Sequence, residues 1–76
     1  MIPTHVLAAL TAGLCVAVLS RDGELYFYLH PATDGAETIR AFAARRGLEV
    51  LATHLRDRAA IRALVASRER DVGGEA

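Results

Sequence analysis

Hydrophobic and polar positions alternate most clearly in one stretch of the chain, GLCVAVLSRDGELYFYLHP (residues 13–31). Asp22-Gly23 divides this stretch, and the pair favours a type I′ turn, which needs a positive φ at both central positions. A two-residue loop would pair Arg21 with Glu24, an opposite-charge pair across the strands. A three-residue loop that includes Arg21 would shift the pairing by a bulge. The pattern therefore predicts a β-hairpin over residues 14–30, with its register left open between these two loops.

Alternation places the hairpin side chains on two faces, because successive residues of a strand point in opposite directions. One face is apolar and is expected to supply the core; it carries Leu14, Val16, Val18, Leu25, Phe27 and Leu29. The second face, called here the outer hairpin face, carries Cys15, Ala17, Leu19, Tyr26, Tyr28 and His30. Either a helix covers this outer face, or it lies open to solvent.

A period of 3.6 residues predicts three helices, over about residues 4–12, 34–46 and 57–70. Residues typical of helix caps stand at their ends: Thr4 and Gly13 for the first, Asp34 with Glu37 and Gly47 for the second, and Asp57 for the third. A weaker alternation over residues 48–52 predicts a third strand. It should run parallel to the second strand through a right-handed crossover.

The elements together predict a small single α+β domain over residues 1–71, in the order α-β-β-α-β-α, with a three-stranded sheet. Helices are expected on one face of this sheet. Residues 72–76, VGGEA, are expected to form a flexible tail.

Composition removes several classes of chemistry. The chain is 53% hydrophobic and 24% charged, with no net charge, which is ordinary for a globular domain. Its single cysteine, Cys15, excludes an internal disulfide and a cysteine-rich zinc site. The three histidines lie in different elements without the spacing of metal ligands. Cys15 and His30 are opposite in the two-residue-loop register, but nothing nearby would orient such a pair or bind an oxyanion. We therefore expect no catalytic residues, no metal and no cofactor, and a protein that is not an enzyme.

The N-terminal third also bears on localisation. The apolar run of residues 5–19 is too short for a membrane span and is interrupted by polar residues. The opening residues MIPTH carry no lysine or arginine, which a secretory signal needs. We expect a cytoplasmic protein, of bacterial or phage type, with no membrane partner.

Two surfaces are candidate sites. On the outer hairpin face, the predicted partner-binding residues are Leu19, Tyr26, Tyr28 and His30, because aromatic side chains with a polar tip are enriched in interfaces. Self-association through this face or a strand edge is a variant of the same hypothesis. In the second half, which holds most of the arginines, the candidates for contact with an acidic partner or nucleic acid are Arg45, Arg46, Arg58 and Arg62.

The first half resembles the opening of TubC-type docking domains. The residues that carry this resemblance are Val6-Leu7-Ala8-Ala9-Leu10, Gly13, Val16-Ala17-Val18, Asp22-Gly23-Glu24-Leu25 and Pro31. The resemblance implies a short helix followed by a hairpin that grips the short terminal peptide of a partner synthetase subunit, partly by strand addition. The second half of the chain does not match.

These observations favour a small non-catalytic protein-interaction module, an adaptor, docking or inhibitor protein that binds another protein or its terminal peptide through the hairpin face or edge. The alternative is a small nucleic-acid-associated regulator that uses the arginine-rich second half. A homodimer is compatible with the first hypothesis.

Overall fold

Three helices and a three-stranded sheet form the fold, and the predicted order α-β-β-α-β-α is confirmed. A computed structural model describes residues 2–75, with the side chains of residues 2–68. Its elements are α1 (Thr4–Thr11), β1 (Cys15–Arg21), β2 (Glu24–His30), α2 (Ala36–Arg45), β3 (Glu49–Leu55) and α3 (Arg58–Glu75). The backbone of α3 continues past the predicted end at residue 70 to Glu75, through most of the predicted flexible tail of residues 72–76. The flexibility of that tail stays a prediction.

The hairpin has the two-residue loop. Asp22 has φ 54° and Gly23 has φ 83°, as a type I′ turn requires. β1 and β2 then pair over all seven residues, from Arg21 opposite Glu24 to Cys15 opposite His30. The alternative with a three-residue loop and a bulge is therefore not the one adopted.

The strand β1 lies at the centre of the sheet, whose order is β2-β1-β3. β3 pairs antiparallel with β1, so it runs in the same direction as β2 without lying beside it. It is also longer than the predicted residues 48–52. Two register shifts interrupt its pairing with β1, and His54, at one of them, has φ 59°. Extra residues of this kind are typical of β-bulges.

Helices cover both faces of the sheet, so the expectation of a single covered face is wrong. On one face, α1 and α3 enclose a cluster of Val6, Val16, Ile61 and Val65. On the other face, α2 encloses a cluster of Ala17, Leu19, Ile39 and Ala43. The physical reason lies in β1, which is buried at every residue from 15 to 20. A strand that is apolar on both faces needs a cover on each.

Glycines end the first two helices in the predicted way. Gly13 has φ 91° and Gly47 has φ 69°, the left-handed conformation that glycine adopts without strain. After α2, the Gly47 amide donates to the Ala44 carbonyl and the Leu48 amide to the Ala43 carbonyl. This pattern is the Schellman motif, and Leu48 also packs against the α2 cluster. Gly47 thereby fixes the point where the chain turns from α2 into β3.

The N-terminal caps differ from two of the three predictions. Thr4 is the first helical residue of α1, after Pro3, and Gly35 rather than Asp34 precedes α2. Neither helix has a side-chain cap hydrogen bond. Asp57 does cap α3, since its Oδ1 accepts a 3.0 Å hydrogen bond from the Ala59 amide. The Asp34 backbone carbonyl instead accepts a hydrogen bond from the His54 Nε2.

Candidate partner-binding groove

Helix α2 covers the outer hairpin face, which answers the question that the sequence left open. Leu19 and His30 are each 1% exposed, so neither presents its side chain at the surface. Tyr28 is half-buried, and Tyr26 is 37% exposed. Tyr26 is the one exposed large hydrophobic side chain among the residues whose side chains are described. Of the four predicted partner-binding residues, only the two tyrosines therefore reach solvent.

The partial cover follows from the position of α2. Its cluster takes Ala17 and Leu19 from β1, and Val50 from β3 packs against it. From β2, only Tyr28 joins this packing. The helix therefore lies over the middle and the β3 side of the sheet, and the outer side of β2 stays in part uncovered.

His30 has a structural role under this cover. Its Nε2 accepts a 3.4 Å hydrogen bond from the His54 amide, so the proton resides on Nδ1, which donates to the Pro31 carbonyl at 2.9 Å. The His54 Nε2 in turn donates to the Asp34 carbonyl at 2.7 Å. Together these bonds join the end of β2, the loop before α2 and the bulge of β3.

The two histidines are brought together by the fold, although they lie far apart in the sequence. Their ring centroids are 4.8 Å apart, in an edge-on arrangement. Both nitrogens of His30 are engaged by Pro31 and His54, so neither is available to the buried thiol of Cys15 on the neighbouring strand. Within the described residues, no set of three histidine, cysteine or acidic side chains is arranged to hold a metal ion.

An aromatic and cationic stack marks the boundary between α2 and β2. The rings of Tyr28 and Phe42 are stacked with their centroids 4.2 Å apart. On Phe42 lies the guanidinium of Arg46, whose central carbon is 3.9 Å from the ring centroid. The Arg46 Nη1 also donates to the Phe42 carbonyl at 3.3 Å. A cation over an aromatic ring is stabilised by the ring quadrupole, so this guanidinium is held in place at the surface.

A groove of about 420 Å³ opens beside this stack. We call it the tyrosine–arginine groove; it is lined by Tyr28, Thr38, Ala41, Phe42, Arg45 and Arg46. Its aromatic residues come from both β2 and α2, whereas its two arginines come from the last turn of α2 and the residue after it. Cations at this end of a helix are favoured by the macrodipole.

Arg21 and Glu24, on either side of the hairpin turn, each take part in a side-chain hydrogen bond. The Arg21 Nη1 donates to the Arg46 carbonyl at 3.0 Å, which ties the turn to the C-terminal end of α2. The Tyr26 hydroxyl donates to the Glu24 Oε1 at 2.9 Å. Tyr26 thus has its hydroxyl fixed by Glu24, and it lies on the same face of β2 as Tyr28, the groove residue two positions further along the strand.

The four predicted cationic residues do not form one surface. Arg45 and Arg46 belong to the groove on the α2 side, whereas Arg58 and Arg62 belong to α3, which covers the opposite face of the sheet. Arg58 instead lines a cavity of about 320 Å³ between α1 and the start of α3. Phe42 was not predicted as a site residue, because an apolar residue at helical spacing is typical of a core position.

Among residues 2–75, no helix combines the length and the apolar character that crossing a bilayer requires. Comparison of the chain with protein-family models, with curated proteins and with solved structures finds no match.

Proposed function

We propose that this chain is a small non-catalytic protein-interaction module, and that its tyrosine–arginine groove binds an acidic segment of a partner protein. The observation that carries the proposal is the stack of Arg46 on Phe42 and Phe42 on Tyr28 at the rim of an open groove. It combines an apolar surface with a cation whose position is already fixed. Interfaces are enriched in these residue types, tyrosine, phenylalanine and arginine.

The geometry of Arg46 favours a carboxylate as the group that is recognised. One of its nitrogens donates to the Phe42 carbonyl, and the central carbon of its guanidinium lies over the Phe42 ring. A guanidinium has five N–H donors, so several remain for a ligand. Because the side chain is exposed yet held, a carboxylate can bind in a bidentate manner with a small loss of side-chain entropy. Arg45, on the same rim, adds a second positive charge.

Protein is favoured over nucleic acid as the partner. The chain has no net charge, whereas proteins that bind a phosphate backbone present a strongly basic face. Arg58 and Arg62 do not extend the groove, because α3 lies on the other side of the sheet. Two arginines beside aromatic rings suit one or two carboxylates better than a continuous row of phosphates.

The proposal is tested with a labelled decapeptide of alternating glutamate and valine, a glutamine–valine control peptide and an oligothymidine, each titrated into the full chain. We expect the glutamate peptide to bind more tightly than the glutamine peptide. Arg46→Gln should weaken its binding by roughly tenfold or more, because hydrogen bonds to charged groups contribute about 1.5–3 kcal/mol. Arg58→Gln is the matched control and should leave binding unchanged.

Tyr26→Ala should also weaken binding of the glutamate peptide. The far-UV circular dichroism should stay native, because the Tyr26 side chain is exposed and does not hold the fold together. Equal binding of the glutamate and glutamine peptides, or equal losses from Arg46→Gln and Arg58→Gln, would contradict the proposal. Tighter binding of oligothymidine than of the peptide would assign the groove to nucleic acid.

A further inference from the structure

The free edge of β2 has no feature that would prevent it from pairing with another strand. β2 is an edge strand, and its pairing with β1 runs without a bulge over seven residues. Its sequence, ELYFYLH, contains no lysine, arginine or proline, the residues that usually block an edge. The opposite edge strand, β3, does carry two register shifts. The two edges of the sheet therefore differ, and only β2 has the regular backbone that another strand could pair with.

The turn determines which backbone groups of β2 face outward. In a two-residue type I′ loop, the flanking residues Arg21 and Glu24 form a hydrogen-bonded pair. Hydrogen-bonded and non-hydrogen-bonded pairs alternate along an antiparallel ladder. The backbone groups of Tyr26 and Tyr28 consequently point toward β1, and those of Leu25, Phe27 and Leu29 point away from it to the free edge.

These three outward-facing residues are arranged symmetrically about Phe27. If a second copy of β2 runs antiparallel beside the first, with Phe27 opposite Phe27, Leu25 lies opposite Leu29 and Leu29 opposite Leu25. Every outward N–H and C=O of the three residues then has a partner. On the α2 side, the same register places Tyr26 opposite Tyr28. Apolar and aromatic pairs therefore form on both faces, each worth up to about 1 kcal/mol.

We propose that two copies of this chain pair through β2, around a two-fold axis at Phe27, to form a continuous six-stranded sheet. Leu25, Phe27 and Leu29 are each half-buried in the single chain, and this pairing would bury them further. A second copy fits better than an unrelated strand because the sequence of β2 is complementary to itself in this register. An interface of this type is isologous, since each copy contributes the same surface.

The pairing changes the tyrosine–arginine groove and so goes beyond the function proposed above. A two-fold axis perpendicular to the sheet places both α2 helices on the same face. The two grooves then face each other across a floor formed by Tyr26 and Tyr28 of both copies. Each groove would gain Tyr26 of the second copy, which makes the site in one chain incomplete without the other.

The test uses the full chain made by chemical synthesis, with a single N-methyl group on the Phe27 amide. This group removes one outward donor and adds bulk at the edge, and it leaves the Phe27 side chain and the β1–β2 ladder unchanged. Sedimentation velocity is measured from about 1 μM to 1 mM, a range that suits an interface of one strand pair. We expect the unmodified chain to dimerise with rising concentration and the methylated chain to stay monomeric with native circular dichroism.

The register is tested in a mixture of isotope-labelled and unlabelled chains. Contacts between the methyl groups of Leu25 and Leu29 in different copies are expected in isotope-filtered nuclear Overhauser spectra. Within one chain these residues are separated by about 13 Å along the strand, at about 3.3 Å per residue, too far for such a contact.

A chain that is monomeric up to about 1 mM would overturn the inference, and so would a dimer that persists after methylation at Phe27. If the chain is monomeric and the amide chemical shifts of β2 change on addition of the glutamate–valine decapeptide, the β2 edge binds a different partner. That result would also overturn the inference of a dimer. The proposed function is judged separately, because the methylated chain retains Arg46, Phe42 and Tyr28. Loss of peptide binding after Arg46→Gln in that chain would support the groove even if the dimer is refuted.

Discussion

His30 lies in the interior of the structure, although the sequence predicted it to lie on a binding surface. It stands on a strand face with two tyrosines, a pattern typical of a binding surface. Its ring is 1% exposed and bound at both nitrogens. Its main partner, His54, is 24 residues away and has the left-handed conformation (φ 59°). Neither a bulge nor a left-handed histidine can be predicted from alternation, so this network was not predicted.

We expect His30→Phe to lower the free energy of unfolding by about 1–3 kcal/mol. The ring volume is retained, but the His54 amide loses its acceptor and the Pro31 carbonyl loses its donor at a partly buried site. Urea titration followed by circular dichroism measures the change. His5→Phe is the matched control: His5 is exposed on α1, and substitutions at such positions usually stay within about 0.5 kcal/mol. Equal losses in the two variants would contradict a structural role for His30.

At the scale of elements, the turn and the helix-ending glycines were predicted correctly, whereas two helix N-caps and the neighbour of β3 were not. The Asp22-Gly23 turn fixes the hairpin register, and Gly13 and Gly47 end their helices, because each depends only on the backbone of a few neighbours. In contrast, which strand β3 pairs with depends on contacts across the whole fold. The sequence pattern did predict the direction of β3. That β3 pairs with the central strand β1, and that α2 covers the outer hairpin face, became visible only in the structure.

The caps of α2 and α3 provide a paired test at this scale. Asp57→Ala should destabilise the fold by about 1 kcal/mol, because its Oδ1 binds the Ala59 amide at the start of α3. Asp34→Ala should have little effect, since no side-chain hydrogen bond caps α2 and the Asp34 carbonyl that binds His54 belongs to the backbone. Thermal or urea unfolding of both variants measures the difference. A larger loss for Asp34→Ala would restore the sequence-based prediction of a capping box at α2.

At the scale of the whole molecule, the candidate site exists because helices cover the two faces of the sheet unequally. Two helices, α1 and α3, cover one face of the sheet, and only α2 covers the other. The outer side of β2 is therefore left with an exposed Tyr26 and a half-buried Tyr28. The sequence indicated these two tyrosines as binding residues together with Leu19 and His30, and it left open whether a helix covers them; in the structure, Leu19 and His30 are buried. The sequence could not indicate that Phe42 and Arg46 would stand beside Tyr28, because that proximity depends on how α2 crosses the sheet.

If two chains pair through β2 and their grooves merge, dimerisation and ligand binding are coupled. We expect the glutamate–valine decapeptide to bind the unmodified chain with a stoichiometry of one peptide per two chains, and roughly tenfold more tightly than it binds the chain methylated at Phe27. The physical reason is the second wall of the groove, since the dimer presents Arg45 and Arg46 from both copies to one ligand. By linkage, peptide at a concentration near its dissociation constant should tighten the dimer, whereas a large excess should weaken it, because two separate chains then bind two peptides and the dimer binds only one.

Isothermal titration gives the stoichiometry and affinity, and sedimentation velocity with and without peptide gives the dimer constant. The chain carrying Arg58→Gln serves as the control, because this substitution leaves the proposed groove and the β2 edge unaltered. One peptide per chain, bound with equal affinity by the unmodified and the methylated chain, would show that the two grooves act independently. In that case pairing through β2 would join the two sheets but contribute nothing to peptide binding. The groove of a single chain would then be the complete binding site.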